Sequence, residues 1–197
     1  MKYAHSDILD GGLTALKTTA TRMLLVKTYA SGDSYATVTG NQLGSVTMAS
    51  ADYTIGADGT GRKVTSAAGK TATASASSNQ YDNGTASSGS TTTLVDSSKG
   101  WTTNAHANRA VTITGGTGSG QIGRISSNTG TALTIGTAWA ISPDATSTYR
   151  ITDDLHYAFT DGSAKVLFVT DELTNQVITS GNTINFPQLE YSSGQPV

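Results

Sequence analysis

Apolar positions follow two regimes along this chain. Over the first twenty residues they recur at near-helical spacing: Ile8, Leu9, Leu13 and Leu16 follow Ser6 and Asp7, either of which can cap a helix. Gly11-Gly12 weakens the pattern, each glycine costing up to ~1 kcal/mol against alanine in a helix interior. The apolar run opening at Met23-Leu24-Leu25-Val26 predicts a buried strand reaching Tyr29. A second short helix is predicted from Ser34, with Tyr35, Val38, Gln42, Leu43 and Val46 near one face and Gly40 against it.

From Ala51 the period becomes two. Tyr53 and Ile55 lead into the turn Ala57-Asp58-Gly59, and Arg62 to Ser66 returns as the second arm of a hairpin. Lys70 to Ser78 alternates Ala72, Ala74 and Ala76 with hydroxyl residues, which suits a strand packed closely beneath something else. The clearest hairpin is Leu155–Thr160, Asp161-Gly162, then Ala164–Thr170, where Asp-Gly fits a type I′ turn. Two more strands are expected at Gln176–Thr179 and Thr183–Leu189.

The middle of the chain has its own pattern. Thr91–Asp96, Arg109–Thr114, Gln121–Ser126, Ala132–Gly136 and Thr148–Thr152 read as five short strands, with Trp101 and Trp139 as large apolar bodies. Five such strands make a barrel or sandwich of about 65 residues, a size that folds alone. The Ser-, Thr- and Asn-rich stretch Ser77–Ser90 reads as the linker into it. If residues 80–152 are removed, Lys70–Ser78 runs directly into Leu155–Thr160, and these two strands would pair across a short turn. The expected organisation is therefore a discontinuous host domain, 1–79 with 153–197, carrying an inserted small antiparallel β domain, 80–152. The expected fold class is mainly β: a sandwich or barrel-like host with one or two short N-terminal helices, plus the insert.

Composition sharpens this picture. Charged residues are 13% of the 197, about half the usual share, while 57 residues are Ser or Thr and 22 are Gly. Such a surface is hydroxyl-rich, in a style associated with extracellular or virion proteins. The net charge of −2 gives no electrostatic footprint for nucleic acid or an anionic membrane. There is no cysteine, so disulfides, thiolate metal sites and cysteine nucleophiles are excluded. No signal-like segment or membrane-length apolar run is visible, and the expectation is a soluble chain made in a cytoplasm.

Candidate chemistry is sparse. Gly118-Ser119-Gly120-Gln121-Ile122-Gly123 matches a dinucleotide fingerprint by letter, but the residues after it are β-branched rather than helix-forming, and no acidic residue occurs until Asp144. A glycine hairpin is the expected structure. His5, His106 and His156 are the available imidazole bases; His156 lies beside Asp153 and Asp154, yet no G-x-S-x-G elbow supplies a nucleophile. The two glutamates, Glu172 and Glu190, are not placed as a glycosidase pair by any pattern. Asp153-Asp154 and Asp171-Glu172 are turn-like pairs that could hold a surface cation, but no twelve-residue calcium loop is present; they read as solvated turn acids, and neither a metal nor a cofactor is expected. Asn83-Gly84-Thr85 is a glycosylation sequon that has meaning only on secretion. Trp101, Trp139 and Tyr149 are either core filler, the favoured reading, or a platform for sugar rings.

A resemblance is carried by these same residues. Thr91–Asp96, Trp101, Gly116–Gln121, Arg124-Ile125, Asn128, Leu133-Thr134, Trp139, Pro143-Asp144 and Ser147–Ile151 resemble a short β module that recurs in structural proteins of tailed bacteriophages. Asp10–Leu13 with Leu16-Lys17, Gly32–Tyr35, Leu155–Gly162, Val169–Glu172 and Gln176–Asn182 resemble small phage head proteins that decorate, or cement, the capsid. The resemblance implies a non-enzymatic virion protein on the outer surface of the capsid, made in the host bacterial cytoplasm. Its partner would be the major capsid protein, and it would act as a homo-oligomer, trimer or dimer, on the lattice, linking neighbouring coat subunits. Tyr3, His5, Ile8 and Leu9, on an apolar N-terminal arm, are the expected capsid-interface residues, the alternative being that the arm packs on its own domain. The alternative is a head or tail appendage whose inserted domain binds a host-surface glycan through Trp101 and Trp139.

Overall fold

The computed structural model describes residues 4–194, and the Ile8 side chain is also outside the described set. The first elements are α1 (Ser6–Thr19), β1 (Arg22–Val26), α2 (Tyr35–Gly40), β2 (Gln42–Thr47), β3 (Tyr53–Asp58), β4 (Gly61–Ser66) and β5 (Lys70–Thr73). The central stretch holds β6 (Gln80–Thr85), β7 (Ser88–Gly89), β8 (Thr93–Val95), β9 (Ala110–Gly115), β10 (Ile122–Asn128), β11 (Ala132–Ile135) and β12 (Thr148–Thr152). The chain then forms β13 (His156–Thr160), β14 (Val166–Asp171), β15 (Thr183–Phe186) and β16 (Glu190–Ser193). The fold is mainly β and sandwich-like.

Strands from the two flanking stretches form three sheets, ordered β14-β13-β1-β2, β16-β4-β3 and β15-β5. The central strands form one sheet of their own, β6-β12-β9-β10-β11-β8-β7. Among the described residues these sets share no sheet and no hydrophobic cluster. The central cluster is built on Leu94, Val111, Ile113, Ile125, Leu133, Tyr149 and Ile151. In the flanking stretches, the two faces of β1 serve two clusters. Met23 and Leu25 point into the main core, and Leu24 and Val26 pack with Val38 of α2. Burial on both faces is why this strand is apolar at consecutive positions.

Helix α1 begins with His5 as its N-cap, the imidazole Nδ1 accepting the Asp7 N–H at 3.3 Å, rather than with Ser6 or Asp7. Gly11 and Gly12 face solvent, while Leu9, Leu13 and Leu16 are buried. Asp10 accepts two hydrogen bonds from the Arg62 guanidinium of β4, at 2.7 and 3.0 Å. From Ser6 onward this segment is therefore docked on its own chain and is not a free arm. Leu9, expected at a capsid interface, is only 7% exposed, because the apolar face of an amphipathic helix covers the nearest core. His5 is exposed, and Tyr3 lies outside the described residues.

Several expectations give way to tertiary pairing. Residues 42–47 continue no helix: α2 stops at Gly40, and β2 occupies the free edge of β1. Lys70–Thr73 pairs with Thr183–Phe186 and not with Leu155–Thr160, because β13 already has β1 on one edge and β14 on the other. The small residues of 70–78 do serve a close approach. The Leu43 carbonyl accepts the Ser75 N–H at 2.7 Å, and a Cβ at Gly44 would meet Ile184 Cδ1 at 2.7 Å. The expected linker 77–90 instead contains β6 and β7, since ladder hydrogen bonds need no apolar side chains. Gln176–Thr179 is not a strand, although Ile178 is buried and exchanges hydrogen bonds with Ser78. Glu190–Ser193 adds a strand that no pattern announced.

The Asp161-Gly162 hairpin is real, but its loop is longer than a two-residue turn. Only Gly162 of the pair has positive φ (80°), and Asp161 Oδ1 accepts the N–H groups of Ser163, Ala164 and Lys165 at 2.8–2.9 Å. These bonds hold the Asp161 carboxyl at about 2, below its ordinary value. Their stabilising effect is complete above the unfolded value of about 3.9 and is lost as pH falls through the folded value. Thermal melts of the native chain and Asp161→Asn should therefore differ at neutral pH and converge between about pH 4 and pH 2; a gap constant across that window would refute this role. Leu13, wholly buried on the inner face of α1, should cost about 2–5 kcal/mol when replaced by alanine, measured by urea unfolding; a value below about 1 would mean that the helix is not docked.

Candidate functional site

Two features stand out, one at the root of the central module and one along a sheet edge. The root forms because β6 and β12 are antiparallel neighbours, Gln80 opposite Thr152, so the module's two ends emerge side by side. Just past β12, Asp153 and Asp154 point to different partners. The buried Asp153 carboxylate accepts the Asn79 N–H at 2.6 Å, Asn79 Nδ2 at 3.1 Å and the Tyr81 hydroxyl at 2.7 Å. The Arg109 guanidinium lies 3.3 Å from the centre of the Tyr81 ring, adding a cation–π contact from the residue just before β9.

Asp154 turns toward the flanking sheet. Its side chain is 4% exposed, its Oδ2 is 3.9 Å from His156 Nε2, and that nitrogen is 3.9 Å from Asp171 Oδ1. The placement follows from strand geometry: alternate residues share a face, and His156 and Asp171 are directly opposed in the β13–β14 ladder. His156 Nδ1 donates to the Asp154 carbonyl at 2.9 Å, since that oxygen can only accept. Arg124 of β10 brings Nε to 3.3 Å from Asp154 Oδ2, but without hydrogen-bond alignment, and Oδ2 has no hydrogen-bond partner. Burial pushes the Asp154 carboxyl above its usual range; the His156 charge pulls it back, Asp171 pushes it further up, and Arg124 and Asn175 oppose. Asp153, Asp154 and Glu172 are thus buried rather than solvated turn acids, and only Asp171 of the four is exposed. Three donor atoms, from Asp154, His156 and Asp171, lie within 4.8 Å of one another.

The second feature is β14, at the edge of its sheet with Val166 to Thr170 all partly exposed. Phe168 stacks on Phe159 inside and contacts Tyr191 outside, with ring centres 5.8 and 5.0 Å away. Between this strand and α1 runs a groove of about 370 Å³ lined by Ala15, Leu16, Leu167, Phe168 and Tyr191. Leu173, 79% exposed, lies just beyond the strand.

The aromatic residues of the central module are committed elsewhere. Trp139 is 6% exposed and packs in the module's core, so it does not face a glycan. Trp101 is half-buried against that core, donates Nε1–H to Asp82 at 2.6 Å and meets His106 and Tyr149 edge-on. Tyr149 is buried and donates to Asp96 Oδ2 at 2.8 Å. Burial raises the Asp96 carboxyl, but the Ser98 and Tyr149 hydrogen bonds and the nearby Lys99 outweigh it and hold it below the usual range. A module with few large side chains uses its rings as filler, as the composition favoured. The Gly118–Gly123 motif is the β9–β10 hairpin, with Gly118 and Gly120 at φ 78° and 88°. His106, pushed down by burial and then by Arg109, packs on Trp101 and bonds Arg109.

Comparison with known families, curated proteins and solved structures returns no match for this chain. Among the described residues no helix is long and apolar enough to cross a membrane.

The Asp153 contacts make a direct prediction. Asp153→Ala removes three acceptor contacts at the module's root and should cost about 1–3 kcal/mol by urea unfolding, with faster amide exchange at Asn79 than in the native chain. An unchanged midpoint and unchanged exchange would show that the β6–β12 ladder alone holds the root.

Proposed function

We propose that this chain is a non-enzymatic structural protein of a tailed-phage particle, seated on the outside of the capsid and linking neighbouring coat subunits as an oligomer. The observation that carries the reading is the β14 edge with its groove. A sheet edge offers unpaired N–H and C=O groups, and proteins that stay apart usually blunt such edges with charge, proline or a covering element. Here the edge strand runs Val166-Leu167-Phe168-Val169-Thr170 with charge only at its two ends, Lys165 and Asp171, and the groove beside it is largely apolar. Main-chain pairing along an edge combined with side-chain seating in a groove is a common basis of protein–protein docking.

The low charge and hydroxyl-rich composition also fit a lattice protein, which needs complementary area and avidity over many identical sites rather than chemistry. The N-terminal arm contributes less to this reading than the sequence suggested, because Leu9 is turned inward. The glycan-binding alternative loses its motivating residues, since Trp139 is core and Trp101 is tied to Asp82.

Sedimentation of the purified chain with empty expanded heads and with unexpanded procapsids tests the proposal. Saturable binding at a fixed ratio to the coat subunit, reduced at least tenfold by Phe168→Asp, is expected. The variant must keep the native melting profile of the flanking sheets, whose core Phe168 borders, for the comparison to count. Absence of binding to either shell overturns the assignment.

A further inference from the structure

We propose that Asp154, His156 and Asp171 form a binding site for one divalent transition ion, of the Zn²⁺ or Mn²⁺ class, beside the root of the central module. The three donor atoms converge within 4.8 Å, from a loop and two paired strands. His156 is already oriented as a ligand, because its Nδ1–H is held by the Asp154 carbonyl and this turns Nε2 toward both carboxylates. Metal-binding histidines are typically fixed in this manner, with the second nitrogen donating to a carbonyl or carboxylate.

Independent support comes from Asp154 itself. Its side chain is 4% exposed, and Oδ2 aims into the cluster with no hydrogen bond. A buried carboxylate oxygen without a donor is costly, and a cation is one of the few groups that relieve it. The 3.9 Å spacings exceed a hydrogen bond, yet lie only a few tenths of an ångström above the ~3.4 Å between ligands of a tetrahedral ion with bonds near 2.1 Å. Asp171 is 58% exposed, free to make the small adjustment, and leaves solvent a route to the open positions. One imidazole among three donors favours a borderline transition ion over Ca²⁺, which takes six to eight oxygens, or Mg²⁺, which holds its waters.

Arg124 is the resident counter-charge. Its Nε is 3.3 Å from Asp154 Oδ2, but the side chain is half-exposed and misaligned, so it competes with an ion without replacing it. A bound ion would clip β13 to β14 beside the point where the central module joins the flanking sheet.

Calorimetric titration of chelator-treated full-length chain with Zn²⁺ and with Mn²⁺, paired with thermal melts, provides the test. Binding of one ion per chain and a higher melting temperature are expected for at least one of the two. Asp171→Asn, at an exposed position that leaves folding intact, should weaken that binding at least tenfold. Arg124→Gln should strengthen it several-fold by removing the competing charge. His156→Gln should abolish it, with the melting curve of the metal-free variant reporting whether the chain still folds. No saturable binding to the folded native chain, or binding unchanged by Asp171→Asn, overturns the site.

Discussion

A chain that leaves the flanking sheets after β5 and returns to them at β13 must bring residues 79 and 153 together, and the β6–β12 ladder does this. Everything else in the architecture depends on that closure. Because the ends of the central module are adjacent, the flanking stretches assemble as though the module were a loop: β1 pairs with β13, β5 with β15 and β4 with β16, each across the interruption. Asp153 reinforces the closure by holding Asn79 and Tyr81 with a single buried carboxylate. The arrangement also suits evolution by insertion, since a module whose termini meet perturbs its host little.

Charge is scarce here and is concentrated at joints. Asp10 with Arg62 fixes α1 to β4, Lys70 with Asp52 ties β5 to the turn before β3, and Lys99 with Asp82 anchors the Trp101 loop to β6. Lys63 with Glu190 sets β16 beside β4. Half-buried pairs of this sort add little net stability, but each penalises an alternative register by leaving a charge unpaired. In strands dominated by Thr, Ser, Ala and Gly, where side-chain shape distinguishes one register poorly from the next, that selectivity is valuable. The same scarcity sets the Asp154–His156–Asp171 group apart among the described residues: a buried and an exposed carboxylate converge on one imidazole, and the nearby Arg124 is misaligned.

Local patterns reported what local physics controls. The amphipathic start of α1, the doubly buried run of β1, the β3–β4 and β13–β14 hairpins, and the five central strands were all visible as periodicity and turn chemistry. So was the role of the Gly118–Gly123 stretch as a turn, and the need of the small-residue strand for a close neighbour. The structure departs from the local pattern where a segment's conformation answers to a distant partner. Residues 42–47 carry a helix-compatible spacing but are a strand because β1 has an open edge for them. Glu190–Ser193 has no strand signature and is one because β4 offers hydrogen bonds.

The candidate sites divide in the same way. Sequence alone determined that the chain is mainly β, that short turn-separated strands fill its middle, and that cysteine chemistry is excluded, because these follow from composition and from spacing between near neighbours. Tertiary structure alone decided that Leu9 and Trp139 turn inward, that the edge strand Val166–Asp171 borders an apolar groove, and that Asp171 stands opposite His156. Burial and convergence are properties of packed surfaces: a one-residue change of register reverses which side chains face in. No pattern confined to one stretch of chain contains that choice.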